Sequence, residues 1–539
     1  MPKVGNKTLT FPLAGVSRRA GYREQQRPYS SPWAVNVRGV CGLETRLRGG
    51  SRPGLAKVLA TDFGASISAI IPATYIDSTG ARQYDLLVVA DGAINVVRGS
   101  SSSALSAALQ TDAGIDILTE DGQTIVFDSA VTVAGGGASI AFDAVERNGT
   151  IYLADSVLRL YDPITGVVTA VSATVGVIPV ACPRVCLYRD RIILGGVDNV
   201  WYASRQSDPT DWAFGAEMND VGRAAAGQVG NAGRIGDVIQ AMIPDSDDSL
   251  LFATKNELWM LKGDPTDGVM RQVSSTVGVI APGAWARSDD GLLAFLSFDG
   301  VYVMQLGGQK APERFSADNL PASLVNTVTT AKHVTMAYDA RGRGFHLFIT
   351  PDTGNGEHWW LDVENKAIWP VVVPTAMQPM ATARLQGSAG LPEVILGCRD
   401  GYLRKFSDSV TTDDGTAFES HVAIGPIRLA TNDIDDALLA EIHGILAENN
   451  GTAVTWRVIM ASSAEEAADL AEAGIKADLA GTTISGVSSF GTWAENRNKV
   501  DRCRCRGAWA VIWLSSTGKW AFEAVAIVTQ QLGRLRYGY

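Results

Sequence analysis

"GLLAFLSFDGVYVMQLGG", residues 291–308, reads as a strand, a tight turn and a second strand in one phrase. An apolar run at 292–296 meets Asp299-Gly300, and a second run carrying Tyr302 follows. Asp-Gly between two such runs is a strong short-range hairpin signal, because the two-residue turns that match strand twist need positive φ, which Gly, Asn and Asp tolerate. The same two-part phrase recurs on both sides. Before it come "QYDLLVVADGAINVVRG" (83–99), "VERNGTIYLADSVLRLYDPITGVVTAV" (145–171), "CLYRDRIILGGVDNVWYAS" (186–204) and "SLLFATKNELWMLKG" (249–263). After it come "GFHLFITPDTGNGEHWWLDVENKAIWPVVV" (344–373) and "EVILGCRDGYLRKFS" (393–407). These seven hairpin-bearing units have centres about 40 to 55 residues apart, the period of four-stranded blades arranged around an axis.

The fold class this predicts is all-β: a β-propeller of about six to seven blades over 56–420. An extended N-terminal arm (1–55) precedes it, and a separate C-terminal β-sandwich-like domain (421–539) follows. The tetrapeptide Asp-Pro-Thr-Asp occurs at 208–211 and again at 264–267, each time after an aromatic-rich run. Asp caps a turn, Pro presets φ and the closing polar pair completes the bend. The expected place of this turn is after the outer strand of a blade, where the chain leaves for the next one. Residues 101–142 are rich in Ser, Ala and Gly and break the rhythm, which suggests a small β insertion or loop. In the last segment "SSAEEAADLAEAG" predicts a helix capped by Ser463 and stopped at Gly474, with glutamates in its first turn. Period-two alternation in "RCRCRGAWAVIWLS" and "KWAFEAVAIVTQQ" predicts antiparallel strands joined through Thr517-Gly518.

Composition narrows the function. Of 539 residues, 46% are hydrophobic and 19% charged, which describes a globular chain able to bury a core. The net charge of −11 speaks against a protein whose task is gripping phosphates, since that needs clustered Lys and Arg. No run of apolar residues is long enough for a membrane span, and the first residues lack the continuous apolar stretch of a secretory signal, so the expectation is an intracellular product. Six cysteines are too few for a disulfide scaffold. Cys182 with Cys186 and Cys503 with Cys505 lie at spacings that share a strand face, where a metal could be pinched. Small buried hydrophobes are the simpler reading.

Chemistry is sparse. No phosphate loop, zinc-protease helix, nucleophile elbow or dinucleotide fingerprint occurs, and the five histidines have no metal-like spacing. Asp245, Asp247 and Asp248 begin like a calcium loop but lack its glycine and distal glutamate, so a solvated turn is expected. Trp201, Trp259, Trp359 and Trp513 sit on alternating strands, where packing is the default, although a sugar-binding or sugar-hydrolysing propeller would use such rings. No catalytic residue, cofactor or metal is assigned. The conspicuous charge is basic and near the ends. Arg18, Arg19, Arg23, Arg27, Arg38, Arg46, Arg48 and Arg52 lie in a Pro- and Gly-broken context, with Arg534 and Arg536 at the far end. These arginines are either a solvated face or an arm docking on an acidic neighbouring subunit through bidentate guanidinium–carboxylate pairs.

Four phrases then carry a resemblance: "AVNVRGVCGLETRLRGGSRPGL" (34–55), "RIILGGVDNVWYASRQSDPTDW" (191–212), "LWMLKGDPTDGVMRQVSSTVGVIAPGAWARSDDGLLAFLSFDGVYVM" (258–304) and "RCRCRGAWAVIWLSSTGKWAFEAVAIVTQQLGRLR" (502–536). In this order they resemble the propeller-bearing tail proteins of short-tailed phages, the tail nozzle or tail tubular protein B type. The resemblance implies a non-enzymatic virion protein made in the host cytoplasm. It further implies a homo-oligomeric, hexameric ring below portal and adaptor proteins that extends the DNA channel, carries fibres or closes the tail tip, and lets viral DNA pass without sequence-specific binding. The acidic balance suits such a conduit, because a negative lumen repels phosphates.

Overall fold

A computed structural model of the chain describes residues 4–17, 29–40, 49–80, 82–99, 127–132, 143–215, 219–227, 229–230, 233–307, 311–315, 322–325, 327–386, 391–431, 435–447, 452–473, 479–484, 487–488, 492–493 and 497–534. Seven antiparallel four-stranded sheets follow one another along the described chain and form a β-propeller. Blade 1 starts with Ile67–Ile76, blade 2 with Asp143–Arg147 and blade 3 with Arg184–Tyr188. Blades 4 to 7 start with Ala241–Ser246, Trp285–Arg287, Lys332–Asp339 and Pro379–Gln386. Each of the seven phrases read from the sequence falls inside one blade.

Local turn chemistry explains the hairpins. Asp91-Gly92, Asn148-Gly149 and Arg189-Asp190 all have positive φ at both positions, the geometry of a two-residue turn between twisted strands. In blade 5, Leu292–Ser297 pairs with Gly300–Gln305 so that Leu293 faces Met304. Neighbouring blades bury their faces against each other. One cluster joins Leu293, Phe295 and Val301 of blade 5 to Leu347, Trp359 and Leu361 of blade 6, and another joins Ile67 and Leu86 of blade 1 to Ile395 and Leu403 of blade 7. Trp201, Trp259, Trp359 and Trp513 are all buried, as packing groups are.

The repeated Asp-Pro-Thr-Asp sits one step earlier than the sequence suggested. It precedes the outer strand, linking Trp201–Ala203 to Ala225–Gly227 in blade 3 and Leu258–Lys262 to Val269–Ser274 in blade 4. The aromatic-rich run before each copy is the third strand of its blade. The two turns make the same bonds. Thr210 donates its backbone N–H and hydroxyl to Asp208 Oδ1 at 2.9 and 2.7 Å, and Thr266 does so to Asp264 at 3.0 and 2.9 Å. Arg191, fully buried, ties blade 3 to blade 4 by donating to Asp264 at 3.1 Å.

Closure is non-local. The fourth strand of blade 7 is Gly54–Lys57, antiparallel to Leu403–Ser407, so the ring is latched by a strand from the opposite end of the sequence. Within 101–142, the described stretch Phe127–Thr132 serves as the outer strand of blade 1, and the remainder lies outside the described residues.

The described strands of 1–55, read as an extended arm, are divided between two further sheets, apart from Gly54–Lys57 in blade 7. A seven-stranded sheet contains Val4–Thr10, Val37–Arg38, Gly49–Ser51, Asp435–Leu446, Thr492–Trp493, Arg497–Gly507 and Ala521–Arg534. A six-stranded sheet contains Ala34–Val35, Ser420–Arg428, Val454–Ala461, Leu479–Ile484, Val487–Ser488 and Trp509–Ser516. The two sheets share a core that includes Leu439, Ile442, Val458, Ile512 and Phe522. The propeller is therefore inserted between the first and last strands of a sandwich, where the sequence suggested an arm, a propeller and a sandwich in tandem. Charge and proline made 1–55 look unpaired, whereas most of its short strands find partners far along the chain, in blade 7 and in the C-terminal strands. The helix Ala464–Ala473 packs on the six-stranded sheet and buries Ala464, Ala467, Ala468 and Ala471. Ser463 Oγ accepts from Glu466 N at 3.1 Å, the expected cap, while Gly474 lies outside the described residues. Among the described residues no helix is long and apolar enough to cross a membrane.

Candidate functional site

The largest concentration of buried charge is where propeller and sandwich meet. Arg52 enters it because Gly49–Ser51 is pinned to the sandwich while Gly54–Lys57 is pinned to blade 7, so the residue between them must cross the boundary. Its guanidinium, 1% exposed, forks onto Asp413 with Nη1–Oδ1 2.8 Å and Nη2–Oδ2 2.6 Å. The remaining donors go to Asn36 Oδ1 (2.9 Å), Pro53 O (2.8 Å) and Val372 O (2.9 Å). The ring of Phe418 covers the guanidinium at 3.8 Å. Asn36, at φ 56°, spans three segments: its Nδ2 donates to Glu419 O at 2.9 Å, and its Oδ1 accepts from Arg52 and from Val372 N at 2.8 Å. Ser51 and Trp520 add a reciprocal pair, Ser51 N to Trp520 O at 2.9 Å and Trp520 N to Ser51 Oγ at 3.1 Å. With every donor used, this buried ion pair is fully hydrogen-bonded, the condition under which desolvation is offset.

A second group lies alongside around a cavity of about 130 Å³. Arg38, also buried, stacks over Trp360 at 4.2 Å and lies 3.9 Å from Asp339. Burial pushes its pKa down to about 10, against the pull of Asp339. His346 is sandwiched between Phe348 and Phe406, with ring centroids at 5.5 and 4.8 Å. Burial pushes its pKa down to about 4, although Asp339 lies 3.7 Å away, so the ring is neutral at pH 7. Stacked between two rings, His346 packs as part of the aromatic core of the boundary.

One apolar cluster runs unbroken across this boundary. It includes Phe348, Trp360, Trp369 and Leu396 from blades 6 and 7 together with Val422, Trp509 and Phe522 from the sandwich. A large apolar contact of this kind makes two domains one rigid body.

Of the arginines singled out for docking, Arg52 makes the bidentate pair expected of it, but inside its own chain, so its full burial withdraws it from a neighbouring subunit. Arg38 is likewise internal. Arg534 ends the strand Ala521–Arg534 opposite Asp435, and Arg18, Arg19, Arg23, Arg27, Arg46, Arg48 and Arg536 lie outside the described residues. Sequence reasoning missed Asn36, Asp413 and Trp520. The only signal for Asp413 was "TDDGT", a turn phrase like many others. Asp245 closes a hairpin by accepting from Ser249 at 2.7 Å and Gly307 N at 2.7 Å, and Cys182, Cys186 and Cys505 are buried. Among the described residues no group of three His, Cys, Asp or Glu is placed to hold a metal.

No protein-family model and no curated protein matches the chain. It is similar to solved structures, among them a WD40 β-propeller. U3-55K aligns with TM-score 0.38 at 9% identity, covering 65% of this chain and 98% of that one. The WD40 β-propeller domain of Doa1 aligns with TM-score 0.36 at 12% identity, covering 66% and 97%. The extracellular domain of a hybrid two component system from B. thetaiotaomicron aligns with TM-score 0.41 at 11% identity, covering 72% and 43%.

Proposed function

We propose that the protein is a structural component of a short-tailed phage tail, of the nozzle or tail tubular type. In this reading it assembles into a homo-oligomeric ring, a hexamer by resemblance, around the channel through which the genome is delivered. The observation that carries this reading is the buried Arg52–Asp413 joint set in a continuous apolar core, which fixes propeller and sandwich relative to each other. A closed ring is built from two different faces related by one constant rotation, and a body whose halves hinge cannot hold that rotation. The first of the four phrases behind the resemblance, 34–55, supplies Asn36, Arg38 and Arg52 to this joint. Portal or adaptor proteins on one side and fibre proteins on the other are the partners this role requires. The net charge of −11 suits a lumen along which DNA slides.

Mass measurement and negative-stain imaging of the purified protein, alone and with portal and adaptor proteins, test the proposal. Rings of one order are expected. A monomer under all of these conditions overturns it.

A further inference from the structure

The first strands of all seven blades surround a central cavity of about 470 Å³, within the range of small-molecule sites. Its lining is mixed polar and apolar and includes Arg184, Lys332, Asp143, Asp352, His333 and Trp285. Two cations, Arg184 and Lys332, face two carboxylates, Asp143 and Asp352. Asp143 already accepts from Ala144 N at 3.1 Å and Val185 N at 3.3 Å, and Asp352 lies 3.1 Å from His333 Nε2. Arg184 makes no hydrogen bond and, like Lys332, no ion pair within 4 Å among the described residues, although Asp143 attracts it at longer range. Yet Arg184 is only 7% exposed. Its aliphatic stem crosses Gly196, where a Cβ would come within 2.6 Å of Arg184 Cγ, so a glycine at φ +94° makes the room that aims the guanidinium into the channel.

A guanidinium whose donors face the channel without a hydrogen-bond acceptor in the protein can fork onto a bound carboxylate, the acceptor it suits. The rest of the lining matches hydroxyl groups. Gln240 and the Thr335–Thr382 hydroxyl pair, 2.6 Å apart, offer donors and acceptors, and half-buried Trp285 offers a flat apolar face. We propose that the propeller channel is a binding site for a small polyhydroxylated carboxylate, a sugar acid of the uronic class. Arg184 and Lys332 take its carboxylate, Asp143 takes hydroxyl protons and Trp285 takes a ring face. Burial lowers Arg184 and raises Asp143 from their ordinary pKa values, each partly offset by the other, which marks a poorly solvated channel where a charge-assisted bond is worth more than in water. The site does not depend on ring formation.

Isothermal titration of the intact protein with glucuronate, glucose and acetate tests it, with oligomeric state recorded on the same sample. Glucuronate is expected to bind at least about tenfold more tightly than either control, because only it engages both the cationic and the hydroxyl-binding sides of the channel. Arg184→Ala, checked for folding by circular dichroism, is expected to weaken glucuronate by about tenfold or more and leave glucose unchanged. If that variant does not fold, Lys332→Ala, at a half-exposed position, decides with the same expectation in direction. The site is refuted if glucuronate binds no better than glucose, or if neither variant weakens it.

Discussion

In blade 5, Leu293 pairs with Met304 across a two-residue turn; in the sandwich, Val4 pairs with Gln530. Both contacts belong to antiparallel ladders, yet they differ in how far the chain must travel to make them. A blade is built almost wholly from neighbours in sequence, so its loops cost little entropy to close and its turn residues announce it. The sandwich gathers strands from both ends of the chain, and its stability rests on a few buried groups that hold those ends together. The propeller should thus tolerate local damage that the joint cannot.

Arg52→Ala is the strongest way to break this contrast. It leaves Asp413 buried without its partner and should cost about 3–5 kcal/mol in chemical denaturation, while the paired replacement Arg52→Met with Asp413→Leu should recover much of that loss. An Arg52→Ala loss no larger than that of a surface substitution would show that the joint is not what holds the domains.

Acid comes next. His346, His358 and His421 are held by burial at pKa values of about 4, 3 and 4, below their ordinary 6.5. Between about pH 6.5 and 4 the unfolded chain takes up protons that the folded chain refuses, so stability is intact near neutral pH and falls as pH drops through that window. The summed loss should be on the order of a few kcal/mol. Denaturation midpoints measured at pH 7, 6, 5 and 4.5 check it, and replacing the three histidines singly by Gln should flatten the slope. Since His346 and His358 lie in blade 6 and His421 in the sandwich, these variants also report which body yields first.

Smaller effects sharpen the picture. Ser463→Ala removes a helix cap on the six-stranded sheet and should cost about 1 kcal/mol. Arg343→Ala, which breaks an exposed pair with Glu364 on blade 6, should leave the melting curve unchanged. A large effect there would mean that the blades too depend on ion pairs.

Legibility in the sequence follows the same divide. Asp91-Gly92 and Asn148-Gly149 disclosed their hairpins because a turn residue and its two strands lie within one short window, and Asp299-Gly300 marked the blade 5 hairpin although its loop is Phe298-Asp299, with Gly300 opening the second strand. The role of Gly54–Lys57 was hidden, since nothing in "GLAK" points to Leu403–Ser407. The charge of Arg52 was visible and its fork geometry anticipated, but its partner was sought on another molecule because Asp413 is remote in sequence. Asn36, Trp520 and the channel-facing Arg184 become functional groups only once distant strands meet, and single residues without periodicity leave no pattern to read.

The latch of blade 7 bears on how the protein is made. On the ribosome, Gly54–Lys57 emerges long before Leu403–Ser407, and Val4–Thr10 long before Ala521–Arg534. At about 5–20 residues per second, these early strands wait from roughly a quarter of a minute to well over a minute for their mates. A nascent chain halted before Ala521 would carry all seven blades but a seven-stranded sheet without Ala521–Arg534, whose missing place leaves open strand edges, a ready target for chaperones and proteases.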